Sequence, residues 1–232
     1  MLLFAAVLWG VPVKVRSFAT AVVTAVLVAV AAPPPAAAAV SGPCRAGTPP
    51  AAEPTDEFYA DRGELGPEQL PSEEPAGSLM TGYRRFGGMS KETFTDRYRA
   101  AGGWVHPPED GFLILRGVAV RYQQTLVEGM RVDRFGYPSG RYLAPVDTLY
   151  LQRALPPERL NTPVGAPQGN YHVYCVLRAF TVEAGPIAPW FGQPGLGLQY
   201  RLDDRFLPAA GDRVSVGWLV DHGYLVEEDP AR

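Results

Sequence analysis

Two stretches of this 232-residue chain concentrate side chains able to do chemistry. The first runs Arg131-Val-Asp-Arg-Phe-Gly-Tyr-Pro-Ser-Gly-Arg-Tyr-Leu-Ala-Pro145 and continues at Gln152-Arg-Ala-Leu-Pro-Pro157. The second is Gly185-Pro-Ile-Ala-Pro-Trp-Phe-Gly-Gln-Pro-Gly-Leu-Gly-Leu-Gln-Tyr200. Arginine forks of this kind suit phosphates. A carboxamide can orient a hydroxyl or a water, and aromatic faces can stack on bases. Other chemistries lack their constellations: there is no Gly-x-Ser-x-Gly elbow, His-Glu-x-x-His, phosphate loop or cysteine zinc spacing. The histidines His106, His172 and His222 are scattered, and a histidine without a partner reads as structural. The glycine cluster Gly192–Gly197 contains a proline and adjoins a strand, which does not suit a dinucleotide fold opening a helix.

The elements around these stretches must be short. Ser90 to Ala101 reads as a helix: Ser90 caps it, Glu92 suits the first turn, Phe94 and Tyr98 share a face, and Gly102-Gly103 stops it. From Gly111 onward the pattern turns strand-like. Phe112–Leu115, Val118–Tyr122, Met130–Phe135, Tyr171–Leu177, Leu198–Leu202 and Val214–Val220 are the expected strands. Tyr171–Leu177 alternates only roughly, as a central strand does. The implied fold is α+β and β-dominated: a twisted antiparallel sheet with a helical and irregular N-terminal portion. The expected divisions are an export signal (1–39), a Pro/Ala-rich mobile linker (40–57), an arm with one helix (58–110) and a catalytic domain (111–232).

The export signal rests on Lys14 and Arg16 ahead of the apolar run Phe18–Ala32 and the small-residue stretch Pro33–Val40. Met1–Val13 precede the charges, which fits a start at Val13 or Val15 and cleavage near Ala39. The expected location is therefore extracellular, with no stable membrane association after cleavage. A net charge of −3 argues against non-specific nucleic-acid binding. Cys44 and Cys175 are the cysteines of the exported part, and an oxidising compartment makes one disulfide the expectation. Nothing in the sequence itself brings them together.

The two stretches resemble the signature segments of the tuberculosis necrotizing toxin (TNT) family of NAD+ glycohydrolases, found in bacterial secreted toxins and secreted fungal NADases. The resemblance extends to Trp104-Val-His-Pro-Pro-Glu-Asp-Gly-Phe112, Tyr171-His-Val-Tyr174 and Gly223-Tyr-Leu225, and so covers about residues 80–228 in the family's order. It implies hydrolysis of the nicotinamide–ribose bond of NAD+ or NADP+, with the dinucleotide as substrate and no separate cofactor or metal. It assigns catalytic roles to Gln199 and Arg134 and a substrate-binding role to Arg153 on a phosphate. Phe135 and Tyr142 become aromatic walls, and His172 matches a histidine of the bacterial branch. Gln193, in the same glycine loop, is the alternative to Gln199. For Trp190 and Phe191 core packing is preferred. The chemistry agrees with these residue types: nicotinamide leaves as a neutral molecule, so the acid of an O-glycosidase pair has no task. An immunity protein is the implied partner of a toxin acting inside its producer. Two rivals stay open, an ADP-ribosyl cyclase or transferase and a secreted binding module without catalysis. The chain departs from the fungal pattern at Phe58–Asp61, where further cysteines are missing, and at Cys175, where an acidic residue is commoner.

Overall fold

The computed structural model describes residues 44–229. The expected export signal and the first residues of the expected linker lie outside them. From Cys44 the linker has no regular structure, and its backbone is hydrogen-bonded to the rest of the domain. Gly47 N donates to Glu227 O at 3.0 Å, Ala52 N to Ala166 O at 3.0 Å and Thr55 N to Thr162 O at 2.9 Å. Cys44 and Cys175 form a disulfide with Cα atoms 5.5 Å apart, so the expected bridge is present.

Helix α1 (Ala76–Leu79) and helix α2 (Lys91–Tyr98) belong to the N-terminal arm. Ser90 caps α2 by accepting from Thr93 N at 3.1 Å, as its sequence requires; such a cap stabilises by about 1 kcal/mol. Two short antiparallel pairs follow, β1 (Arg99–Ala100) with β2 (Gly103–Trp104), then β3 (Ile114–Leu115) with β4 (Val118–Ala119). The remaining strands are β5 (Tyr122–Leu126), β6 (Arg131–Phe135), β7 (Tyr142–Pro145), β8 (Tyr171–Val176), β9 (Phe180–Pro186), β10 (Leu198–Arg201) and β11 (Leu225–Glu228). They form a 7-stranded antiparallel sheet in the order β11-β8-β6-β7-β10-β9-β5. Helix α3 (Tyr150–Arg153) follows β7, and α4 (Val216–Asp221) precedes β11.

Every residue of β8 is buried, which explains its nearly continuous apolar sequence: both sheet faces are covered there. On one face Val132, Tyr174 and Val176 pack with Trp218 and Leu219 of α4. On the other, Phe135, Tyr171 and Val173 pack with Tyr150 of α3 and Ala76 and Leu79 of α1. A third cluster joins Phe94 and Tyr98 of α2 to Phe191, so Phe191 is core, as expected.

One expected strand is a helix. Val214–Val220 is β-prone, yet Ser215 accepts from Trp218 N at 3.1 Å and starts α4. Val216 and Leu219 then fall on one buried face at helical spacing, so packing overrides the local preference. The sequence reading also passed over β7, β9 and β11, which carry Pro, Gly or paired glutamates that dilute a strand signal.

Candidate active site

Strands β6 and β7 pair only at Val132–Pro145 and Asp133–Ala144, then part. The residues beyond, Arg134 on β6 and Tyr142 on β7, open onto a cavity of about 590 Å³, which also takes Gln199 from β10. That volume suits a ligand of drug to cofactor size.

Arg134 is fixed by the turn between the two strands. Its Nε donates to Tyr137 O at 2.8 Å and its Nη1 to Tyr142 O at 2.7 Å. The turn itself hangs on the first amides of α4, with Val216 N on Gly140 O at 2.9 Å and Gly217 N on Pro138 O at 2.8 Å. Gly140 faces the guanidinium so closely that a Cβ there would lie 1.8 Å from Nη2. Burial lowers the Arg134 pKa to about 10, with nearby Arg159 adding repulsion. The group therefore stays charged near pH 7.

Arg159 was not singled out by the sequence reading. It sits in a short 3-10 turn, Pro157–Leu160, and lines the same cavity. A Cβ on Gly136 would start 3.4 Å from Arg159 Nη1 and 3.7 Å from Arg134 Nη2, so the two guanidinium groups converge over one glycine. Among the described residues neither is in an ion pair. Two like charges held together without a counter-charge can attract an anion. Arg159 also depresses the His106 pKa, after burial as the larger cause, so this cavity histidine is neutral near pH 7.

Arg153 also lines the cavity. Its fork is committed to the protein: Nη1 and Nη2 each lie 2.6 Å from Asp133, and Nε donates to Thr148 O at 2.9 Å. Tyr171 Oη adds a bond to the same carboxylate at 2.7 Å. Arg159, by contrast, has no carboxylate partner among the described residues and lines the same cavity. His172 is engaged within the protein as well. Register sets it opposite Arg134 on β8, but it is not on the cavity wall; its ring bridges Asn170 Oδ1 at 2.7 Å and Glu227 Oε1 at 2.5 Å.

Phe135 is 3% exposed and meets Tyr150 edge-on at 5.0 Å, so only part of its ring reaches the cavity. Tyr142 is 38% exposed and offers the larger aromatic face. Burial raises its phenol pKa, and Asp110 adds to the rise. Of the two loop glutamines, Gln193 is buried and donates to Arg84 O at 2.7 Å, whereas Gln199 lines the cavity and donates to Asp110 O at 3.2 Å. Trp190 donates to Val105 O at 2.7 Å, away from the cavity.

Comparison with known proteins finds relatives of this chain. The family model for Tuberculosis necrotizing toxin matches residues 125–227. The conidial surface nicotinamide adenine dinucleotide glycohydrolase of Aspergillus fumigatus is 37% identical over 175 residues, covering 73% of this chain and 70% of that protein. The outer membrane channel protein CpnT of Mycobacterium tuberculosis is 27% identical over 129 residues, covering 50% of this chain and 14% of its own length. The solved structure of tuberculosis necrotizing toxin with its immunity factor superposes with a TM-score of 0.45 at 19% identity, covering 77% of this chain and 99% of that one. The chain belongs to the tuberculosis necrotizing toxin family.

Proposed function

We infer that this chain is a secreted NAD(P)+ glycohydrolase, which cleaves the nicotinamide–ribose bond with water to give nicotinamide, ADP-ribose (or, from NADP+, its 2′-phosphate) and a proton. The observation that carries the reading is the uncompensated arginine pair Arg134 and Arg159, converging over Gly136 in the cavity that holds Gln199. A pyrophosphate supplies the anion that this pair lacks. The homologous fungal glycohydrolase supports the same substrate.

The N-glycosidic bond breaks with its electron pair going to the pyridinium nitrogen, so nicotinamide leaves neutral and needs no proton. The ribose carbon becomes oxocarbenium-like, water adds to it, and the proton goes to solvent. Arg134 and Arg159 hold the pyrophosphate, Tyr142 and the edge of Phe135 face the bases or ribose, and Gln199 orients a hydroxyl or the water. Arg153 supports the cavity from below through Asp133. Substrate is the only small molecule the reaction calls for. The disulfide and the surface location named for the fungal relative support secretion. An immunity protein is the partner expected if the enzyme acts inside the cell that makes it.

Incubation of the protein with NAD+ and product separation tests the reading. Free ADP-ribose supports hydrolysis; a cyclic product or modified protein identifies a cyclase or transferase. Absence of turnover at micromolar enzyme identifies a binding module. Arg134→Ala should weaken both binding and turnover, because its charge-assisted bonds serve substrate and transition state alike.

A further inference from the structure

The Gln199 side chain is oriented by a turn that is itself unfavourable. Glu109, Asp110 and Gly111 all have positive φ, at 52°, 56° and 81°. Only the glycine takes that conformation without cost, so the two acidic residues need outside restraint. For Asp110 the restraint is visible. Its carboxylate lies 3.4 Å from Arg201 Nε and 3.5 Å from Arg121 Nη1. Arg201 is anchored in turn, at 2.9 Å from Glu183 and 2.7 Å from Asp203. Ala188 N donates to Gly111 O at 2.9 Å and ties the far side of the turn to the loop after β9.

The product of this restraint is one aimed carbonyl. Asp110 O accepts from Gln199 Nε2 at 3.2 Å, and a Cβ on Gly111 would lie 3.7 Å from both amide atoms of Gln199. A backbone carbonyl can only accept, so it selects the NH2 end of the carboxamide. The amide oxygen is thereby the end left for the cavity. An oxygen acceptor there serves an O–H donor: the attacking water or a ribose hydroxyl.

We propose that Asp110 is a positioning residue for Gln199, its carboxylate pinning the strained turn whose carbonyl sets the amide oxygen toward the reacting O–H group. The proposal rests on the glycohydrolase reading and on Gln199 as its catalytic residue. It makes the conformation of the turn, and not the charge of Asp110, the contribution to catalysis.

Steady-state NAD+ cleavage by Asp110→Gly, Asp110→Asn, Gln199→Ala and the Asp110→Gly/Gln199→Ala double variant tests it. Glycine takes a positive φ without strain, so Asp110→Gly folds while losing the carboxylate. It should lower kcat by about 10- to 100-fold, with KM within about twofold, since a misplacement of about 1 Å can cost about a hundredfold. Asparagine tolerates this conformation and still offers Arg201 an oxygen. Asp110→Asn should therefore stay within about threefold of the parent, a loss well below that of misplacement. In the Gln199→Ala background Asp110→Gly should cost nothing further, since the group it positions is gone. Equal losses from the Asn and Gly variants would overturn the proposal in favour of a charge acting directly. An equal further loss in the Gln199→Ala background, a rise in KM alone, or an unaffected Asp110→Gly variant would overturn it too. Wild-type protein without NAD+ cleavage, or a fully active Gln199→Ala variant, would instead overturn the underlying reading, so the two failures are told apart.

Discussion

Beside Gln199, outside the cavity lining itself, three arginines each face a carboxylate. Arg201 contacts Asp110, Glu183 and Asp203, and Arg205 contacts Glu183 and Asp203, with Arg121 alongside. Within the cavity Arg134 and Arg159 converge over Gly136, and among the described residues no carboxylate pairs with either. The balanced group can hold geometry but has little net attraction for an anion. The unbalanced pair carries self-repulsion while empty and is relieved by a bound anion. The proposed function thus separates positioning from attraction within one site, and Asp133–Arg153 repeats the balanced pattern in a fully buried setting.

Several experiments can break this contrast. The largest effect should come from the balanced pair. Asp133→Asn keeps the shape but strands the buried Arg153 charge, so urea unfolding should register a loss of about 3–5 kcal/mol. A loss under about 1 kcal/mol would mean that water or another group compensates Arg153. Next is Gln199→Ala, expected to lower kcat by about 100-fold or more with the fold intact. Gln193→Ala should act through stability instead, because its amide bonds backbone carbonyls in the core.

Arg159→Ala sharpens the unbalanced half. It should raise KM about 10-fold while leaving kcat nearly unchanged, as loss of one charge-assisted bond to bound substrate does. ADP-ribose should also raise the Tm of the parent more than that of the variant. Equal shifts would remove the anion from Arg159. The smallest effect concerns acid. Hydrogen bonds from Arg205, chiefly, hold the Asp203 carboxyl well below the ordinary carboxylate range. A depressed folded-state pKa stabilises the fold above the unfolded value of about 4, and this is lost as pH falls further. The Tm difference between parent and Asp203→Asn should therefore be present at neutral pH and shrink below about pH 4. Arg205 is largely exposed, so the difference will be modest.

What the sequence disclosed follows from where each signal resides. Helix α2 was legible because Ser90, Glu92, Phe94 and Tyr98 carry its cap, charge and face locally. Strand β8 was legible because burial on two faces writes itself as a continuous apolar run. The Val214–Val220 segment misled because its β-branched residues outweigh a cap that only Ser215 announces. In the site, Gln199 and Arg134 were named from their motifs, and the structure brings both to one cavity. A motif cannot tell which arginine has a carboxylate beneath it, as Arg153 does. That depends on Asp133, 20 residues away on another element. Arg159 follows two prolines in an irregular turn, where no periodicity marks it, and only its approach to Gly136 reveals it.

Gly140 carries a consequence for the inheritance of activity. Its backbone is not in the left-handed region, so alanine fits the chain there, yet the added methyl would occupy the space of the Arg134 guanidinium. The arginine is the movable partner and would be expelled from its bonds to Tyr137 and Tyr142. On the proposed function, one methyl group should therefore silence the enzyme while every arginine, carboxylate and amide remains in its sequence. Relatives that keep Arg134 and Gln199 but place a larger residue at this position would be inactive copies, and counting polar residues alone would score them as working enzymes.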